Sequence, residues 1–339
     1  MERRPLRRVD ASPADVGRRV TLRYRRDPLG INHAEAAGVL MRWSGTGEDG
    51  ILMLRRRDET TVRVPFESVE VARVLKPELS AYRMQELAEA SWPPKEWLDV
   101  GNWRLRWAGE HAGRANSVRV AGTADRPLPA AFNAVEAWYR ERGASALLQI
   151  PSPSPFDDVY EQEGWLVVRR SRLMVAATQR LLIATSAARN RGDMVLTVSD
   201  TPDAEWLGQL KGDDVGAQQE VEPILTAPAT VAFASCRKAD GGELLGIGRA
   251  VVIGDWAGAN NMVTAPDARR RGVATAVMGA LLQWSAEQGA NRWFLRVNAD
   301  SEPALALYDG LGFTRHHDYV YRARSAPAAE SATGGSTDD

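Results

Sequence analysis

Val263-Thr-Ala-Pro-Asp-Ala-Arg-Arg-Arg-Gly-Val-Ala-Thr-Ala-Val277 is the stretch on which the reading of this chain turns. It reads as a strand end, a short Arg/Gly turn and the start of a helix. A helix start leaves backbone N–H groups unpaired and points the positive end of the macrodipole outward, and Gly272 lets a backbone or a phosphate approach where a Cβ would intrude. The expected ligand is a pyrophosphate. No Gly-x-x-x-x-Gly-Lys-Ser/Thr occurs, which excludes a Walker loop, and the Gly-x-Gly-x-x-Gly spacing of dinucleotide folds is also missing.

Downstream, Val273, Val277, Leu281 and Trp284 form one stripe of a helix over 273–288 that Gly289 stops. Trp293-Phe-Leu-Arg-Val297 then reads as a buried strand, and Pro303-Ala-Leu-Ala-Leu-Tyr-Asp-Gly-Leu-Gly312-Phe313 as a second helix ending in glycine. Arg269-x-x-Gly272-x-Ala274, followed at this spacing by Ala304, Leu307, Tyr308, Gly312 and Phe313, resembles the two signatures of the GNAT acetyltransferases. The resemblance implies that acetyl-CoA is the co-substrate, with no metal. It implies that Arg269, Arg270, Arg271, Gly272, Val273, Ala274 and Thr275 hold the pyrophosphate, and that the backbone of Met262, Val263 and Thr264 holds the acetyl carbonyl. Tyr308 matches the tyrosine near the sulfur and is the candidate acid for the leaving thiolate; the alternative is a core aromatic. One departure is visible: Ser301 stands where the family carries Asn, and Asn298 lies close enough to take over part of its hydrogen bonding.

The middle of the chain resembles its end. Arg114–Val118, a helix over Ala134–Arg142 stopped by Gly143, a strand Ala146–Ile150 and Val159–Trp165 follow the order of the last third. At the turn, however, the first copy offers Thr123-Ala-Asp-Arg-Pro-Leu-Pro129, with no glycine and with prolines that donate no N–H. Residues 78–176 are therefore expected to be a degenerate GNAT-like half and residues 177–324 the catalytic half. Within the latter, Met194–Val198 reads as a strand, Asp203–Leu210 as a helix, and Ala229–Ser235 with Leu244–Ile253 as a hairpin turned at Asp240-Gly-Gly242. Residues 211–228 read as a loose acidic connection that would shape the acceptor pocket, and 325–339 as a disordered tail.

Residues 1–77 form a separate unit. Five short alternating segments, Arg18–Tyr24, Ala37–Trp43, Gly50–Leu54, Thr61–Val64 and Val69–Val74, suggest a small barrel of SH3-like type. Residues 1–76 carry 16 Lys/Arg against 11 Asp/Glu, and the remainder 27 against 33. That excess is modest and lacks an aromatic stacking pattern, so a solvated barrel is favoured over a nucleic-acid module. The fold class expected overall is α/β: tandem GNAT-like mixed sheets with flanking helices, preceded by a small all-β barrel. A net charge of −1, a single Cys236, and the lack of a signal peptide or of eighteen consecutive apolar residues point to a cytoplasmic protein away from membranes, monomeric or homodimeric.

The base that accepts the amine proton is not identified by sequence: Glu220, Glu222, Glu243 or a water chain are all open. His33 and His111 fall outside the expected site, and His316-His317, being adjacent on a strand, should face opposite ways and so not form a metal pair. The three-part architecture resembles the actinobacterial GNAT-type N-acetylglutamate synthases, which implies L-glutamate as acceptor. Arg249 and Arg296 are candidates to bind its carboxylates, with exposed strand arginines as the favoured alternative. A protein or peptide acetyltransferase and a non-catalytic CoA sensor remain open.

Overall fold

Short alternating segments at the start of the chain pair into one antiparallel ladder with a parallel edge. The computed structural model describes residues 8–13, 16, 19–26, 32–47, 49–56, 60–74, 80–154, 156–189, 192–212 and 214–324; the expected tail, 325–339, lies outside them. Contacts divide the chain into two compact units, 1–80 and 81–339. In the first, β1 (Arg8–Val9), β2 (Arg19–Arg25), β3 (His33–Trp43), β4 (Ile51–Arg55), β5 (Thr61–Pro65) and β6 (Val69–Val74) form a six-stranded sheet in the order β1-β6-β2-β3-β4-β5. Alternation buries Val20, Leu22, Leu40, Leu52, Leu54 and Val64 on one face. The expected barrel does not close. β1 runs parallel along the free edge of β6, the edge β5 would need, so β5 pairs with β4 alone among the described residues.

The second unit opens with α1 (Ala81–Ala90), the hairpin β7 (Glu96–Val100) and β8 (Trp103–Trp107), and β9 (Val118–Val120). There follow α2 (Leu128–Arg140), β10 (Leu148–Ser152), α3 (Asp157–Gln162), β11 (Leu166–Ala177), α4 (Thr178–Arg189), β12 (Met194–Ser199), α5 (Ala204–Lys211) and α6 (Val215–Thr226). The chain ends its described course through β13 (Val231–Lys238), β14 (Leu244–Ile253), β15 (Trp256–Thr264), α7 (Val273–Glu287), β16 (Arg292–Asn298), α8 (Glu302–Leu311) and β17 (Thr314–Ala323). The expected loose connection over 211–228 contains a helix. Asp214 caps α6 by accepting the Ala217 N–H at 2.9 Å, and its buried Ala217, Val221, Ile224 and Leu225 hold it on the sheet despite an internal Pro223 and Gly216, the residues that make the segment read as loop.

All eleven strands lie in one sheet, ordered β12-β13-β14-β15-β16-β11-β17-β10-β9-β8-β7. The order β9-α2-β10-α3-β11 recurs as β15-α7-β16-α8-β17, and in each the two strands that flank the long helix run parallel. The last strands are exchanged. β11 pairs with β16 and β17 with β10, and the two meet antiparallel at the centre. Each repeat thus completes its sheet with a strand it does not itself supply to its own parallel pair.

The sheet's two faces differ. Trp293, Leu295, Val297, Ala257 and Ala259 pack with α7, α4 and α8 around Val277, Leu281, Leu181 and Tyr308. On the other face, α5 and α6 pack on Phe233 of β13 and Ile247 of β14. The corresponding first-repeat core gathers Trp103, Phe132, Tyr139 and Trp165, together with Val320 from β17.

Candidate active site

The parallel pair β15/β16 is bonded only from Trp256–Ala259 to Arg292–Leu295. Beyond that point Asn260–Thr264 stay with β14, and Arg296–Asn298 stay with β11, so the sheet splits. A bulge sharpens the divergence: Ile247 and Arg249 pair with Val263 and Asn260, leaving Gly248 opposite Asn261 and Met262, and Asn261 takes φ 54°. Backbone along the free edge of β15 around Met262, Val263 and Thr264, all half-buried, therefore faces the split.

After Thr264 the chain makes a short 3-10 turn at Pro266–Ala268, and Arg270 (φ 60°) and Gly272 (φ 81°) both adopt the left-handed conformation before α7 begins. Gly272 is the N-cap and supplies no side-chain acceptor, so the first-turn amides of Val273, Ala274 and Thr275 are left without a capping side chain. The Val273 side chain is buried in the core, so its backbone alone is available to a ligand. Arg269, Arg270 and Arg271 are exposed around these amides. Uncapped N–H groups, about half a positive charge from the helix dipole and three guanidinium groups make an anion cradle. Its seat depends on two glycines whose role the sequence does not announce. A Cβ on Gly246 would lie 2.7 Å from Val273 Cγ1, and one on Gly248 would lie 2.6 Å from Met262 Sδ and 2.7 Å from Val277 Cγ1. They let β14 press against the start of α7 and the bulge of β15. In the first repeat the equivalent helix α2 starts at N-cap Pro127 with a second proline in its first turn, so amides are missing where α7 presents them.

Asn298 ends β16 and turns its Oδ1 onto the Asp300 N–H at 3.1 Å, while its carbonyl accepts the Ser301 N–H at 3.1 Å. Ser301 is the N-cap of α8 and makes no side-chain capping bond, which leaves its hydroxyl for other partners. Tyr308 is buried at 3% exposure, edge-on to Phe313 with ring centroids 5.8 Å apart, in the same cluster as Val273 and Val277. Tyr160, its counterpart in the first repeat, is equally buried, and burial pushes its hydroxyl up to about 12.

Several candidates stand elsewhere. Glu220 accepts the His111 N–H at 2.7 Å, Glu243 pairs with Lys238 at the hairpin turn, and Glu222 is exposed on α6. His33 pairs with Glu70 in the first unit. The expectation that His316 and His317 face opposite ways is wrong. β17 bulges there, Leu173 pairing with His317 and Met174 with Arg315, so the extra residue His316 falls beside His317 and the two Nδ1 atoms lie 2.8 Å apart. His317 Nε2 lies 3.0 Å from Gln85 Nε2, and burial lowers its pKa to about 4. No group of three or more His, Cys, Asp or Glu side chains that could hold a metal ion gathers among the described residues. No helix among them is long and apolar enough to cross a membrane.

Neither candidate arginine is an exposed strand residue. Arg249 is fully buried and donates to the Leu225 carbonyl from Nε (2.9 Å) and Nη2 (2.7 Å) and to the Ser91 carbonyl from Nη1 (3.0 Å). It ties the ends of α6 and α1 to β14. Arg296 is 5% exposed, on the first rung of β16 past the split. The alternation of β16 sends it to the face opposite α7, a direction that a single arginine between two apolar residues does not reveal in sequence.

A mixed sheet whose central parallel pair splits beside an uncapped helix start is the arrangement of the GNAT-type N-acetyltransferases, and this protein is of that class. It belongs to the family described as "Probable histone acetyltransferase Rv0428c C-terminal", which matches residues 80–322. Among curated relatives, the chain is 28% identical over 333 residues to the "Probable histone acetyltransferase Rv0428c" of Mycobacterium tuberculosis, covering 90% of this chain and 94% of the relative. It is 26% identical over 249 residues to the "Uncharacterized N-acetyltransferase YobR" of Bacillus subtilis, covering 71% and 98%. Among solved structures, a GCN5-related N-acetyltransferase from Kribbella flavida superposes with a TM-score of 0.56 at 15% identity, covering 73% of this chain and 96% of that one. A tandem GNAT protein from the clavulanic acid biosynthesis pathway gives 0.50 at 14% identity, covering 67% and 79%.

Proposed function

We propose that this protein transfers the acetyl group of acetyl-CoA to a primary amine by direct attack, using the second repeat alone to hold the cofactor. The carrying observation is the asymmetry of the two helix starts: α7 presents uncapped amides behind Gly272, whereas α2 begins with prolines. In this reading the amides of Gly272 to Thr275 and the guanidinium groups of Arg269, Arg270 and Arg271 hold the pyrophosphate, and Asn298 and Ser301, between β16 and α8, are further contacts of the cofactor. Backbone N–H groups between Met262 and Thr264 take the acetyl oxygen as it gains charge during attack. Tyr308 gives its proton to the departing thiolate. Resemblance to the GNAT-type N-acetylglutamate synthases makes L-glutamate the leading acceptor.

The test is acetyl-CoA consumption over a panel of amino acids, polyamines and peptides, with Gly272→Glu as control. Free CoA released with glutamate and lost in the variant supports the reading, and full activity in the variant would remove the cofactor assignment. A second reading, acetylation of lysines on a protein, is favoured by the description of the 28%-identical mycobacterial relative as a probable histone acetyltransferase. Acetylated polypeptide together with indifference to free glutamate would establish it.

A further inference from the structure

Glu220 lies on α6 of the second repeat yet holds the backbone of the first. Its Oε1 accepts the His111 N–H at 2.7 Å, and its own carbonyl accepts from Lys95 Nζ at 3.2 Å. In return Lys211 Nζ, at the end of α5, donates to the His111 carbonyl at 3.1 Å. His111 belongs to the connection between β8 and β9, residues 108–117, and Lys95 immediately precedes β7. Beside these bonds Ala108, Ala112 and Ala115 pack on Ile224 of α6, and Trp92 Nε1 donates to the Ala112 carbonyl at 3.1 Å. The connection is also bonded to itself: Asn116 Oδ1 accepts the Ala108 N–H at 3.0 Å, and its Nδ2 donates to the Gly109 carbonyl. Gly109 has φ 110°, and a Cβ there would lie 2.5 Å from Glu220 Cδ. The glycine is what lets the carboxylate reach the backbone.

These partners are not neighbours in the sheet. Six strands stand between β14 and β8, a separation of roughly 34 Å if the sheet were flat. Because α6 packs on β13 and β14, the sheet must curl to bring its two ends together. Gly248 meets α7, so Arg249, the next residue of β14, faces away from it, and the junction forms on that face. Beneath the junction lies the split. Arg249 pairs with Asn260, the first residue of β15 past the split, and donates to the Leu225 carbonyl of α6 and to the Ser91 carbonyl. Its guanidinium lies 5.6 Å from the centroid of the Trp92 ring. On the far side of the split, the charge of Arg114 acts on Arg296 of β16 and on Tyr319 of β17. The end of α6, Trp92 and the connection 108–117 therefore run from β14 towards β17 across the place where β15 and β16 part.

A thioester held at such a split is open to water unless its mouth is closed. Resting on the acetyltransferase reading above, we infer that residues 109–116 of the first repeat are a strap, latched to α6 by the Glu220 carboxylate, that closes the split over the acetyl group and shuts out water. Glu220 is then a latch and not the base. Unlatched, the site admits water in place of an amine. The water oxygen bonds to the acetyl carbon as the C–S bond breaks, and acetate and CoA leave. One proton of the water goes to the thiolate and the other to solvent.

The experiment is hydrogen exchange of the full-length protein without cofactor, read by mass spectrometry, together with release of CoA from acetyl-CoA when no amine is supplied. Glu220→Ala removes the latch, Gly109→Ala pushes the carboxylate away, and Glu220→Gln keeps an oxygen that accepts the His111 N–H. Loss of one hydrogen bond to a charged group should make the amides of 109–116 exchange at least tenfold faster in Glu220→Ala and in Gly109→Ala. In Glu220→Gln they should stay within about threefold of the wild type. Amine-independent CoA release should rise at least tenfold in the first two variants and stay near wild type in the third, with acetyl-CoA affinity within twofold throughout. Adding Gly272→Glu to Glu220→Ala should abolish the rise, since the hydrolysis then lacks its bound thioester. Unchanged exchange in Glu220→Ala, faster exchange with unchanged CoA release, or a rise in Glu220→Gln equal to that in Glu220→Ala would overturn the inference. Failure of the wild type to bind acetyl-CoA would instead overturn the acetyltransferase reading, since exchange of the strap is measured without cofactor and is independent of it.

Discussion

Val320→Ala tests the strand exchange. Val320 belongs to β17, which follows α7 and α8 in sequence, yet its side chain is 2% exposed within the first-repeat core around Phe132 and Trp165. Removing two methyl groups there loses about 1.6 kcal/mol of transfer free energy, at about 0.8 kcal/mol each. Incomplete collapse of the space left raises the destabilisation to about 2 kcal/mol. If the exchanged strands make both repeats one cooperative unit, the slowest amide hydrogens of α2 and of α7 should both exchange about 30-fold faster. Hydrogen exchange read by mass spectrometry under native conditions reports the two helices separately. Faster exchange in α2 with unchanged α7 would refute the claim that the repeats share their folding. Acetyl-CoA affinity should stay within twofold, since the substitution lies away from the cradle.

Three further outcomes are expected. Gly248→Ala puts a methyl group into Met262 and Val277, so it should destabilise by about 1–3 kcal/mol and weaken acetyl-CoA binding, read by thermal melting and calorimetry. Tyr308→Phe should lower kcat by about 100-fold or more with little change in the KM for acetyl-CoA; an unchanged kcat would return Tyr308 to the core. His317 has a folded pKa of about 4 against 6.5 unfolded, from burial first and then from His316 and Arg315, with Asp318 opposing. The unfolded chain therefore takes the proton first as pH falls, and stability declines from pH 6.5 to 4 by up to about 3 kcal/mol. His317→Gln should flatten denaturant midpoints across that window.

Local punctuation was legible in the residues. Gly272, Gly289 and Gly312 bound α7 and α8 because each sits at positive φ where the chain must turn, and the hairpin strand read over Leu244–Ile253 has the bounds of β14. What alternation does not carry is the identity of a strand's neighbour. β11 and β17 read as last strands of their repeats, and their exchange depends on long-range pairing that local pattern leaves open. The bulge at His316 is likewise set by β11, and the open edge of the first sheet by the two residues of β1. Arg249 and Arg296 each interrupt an apolar run, and the same local pattern covers one arginine held by two carbonyls and another buried past the point where β15 and β16 part. Gly246 and Gly248 matter for what presses on them, which requires α7 to be in place.

Calorimetric titration of acetyl-CoA into the wild type and into Gly272→Glu bears most directly on the claim that one repeat holds the cofactor at the start of α7. The account predicts one equivalent bound per wild-type chain and affinity at least tenfold weaker in the variant, because the new carboxylate occupies and repels the pyrophosphate position. Two equivalents per chain, or unchanged affinity in Gly272→Glu, would contradict it.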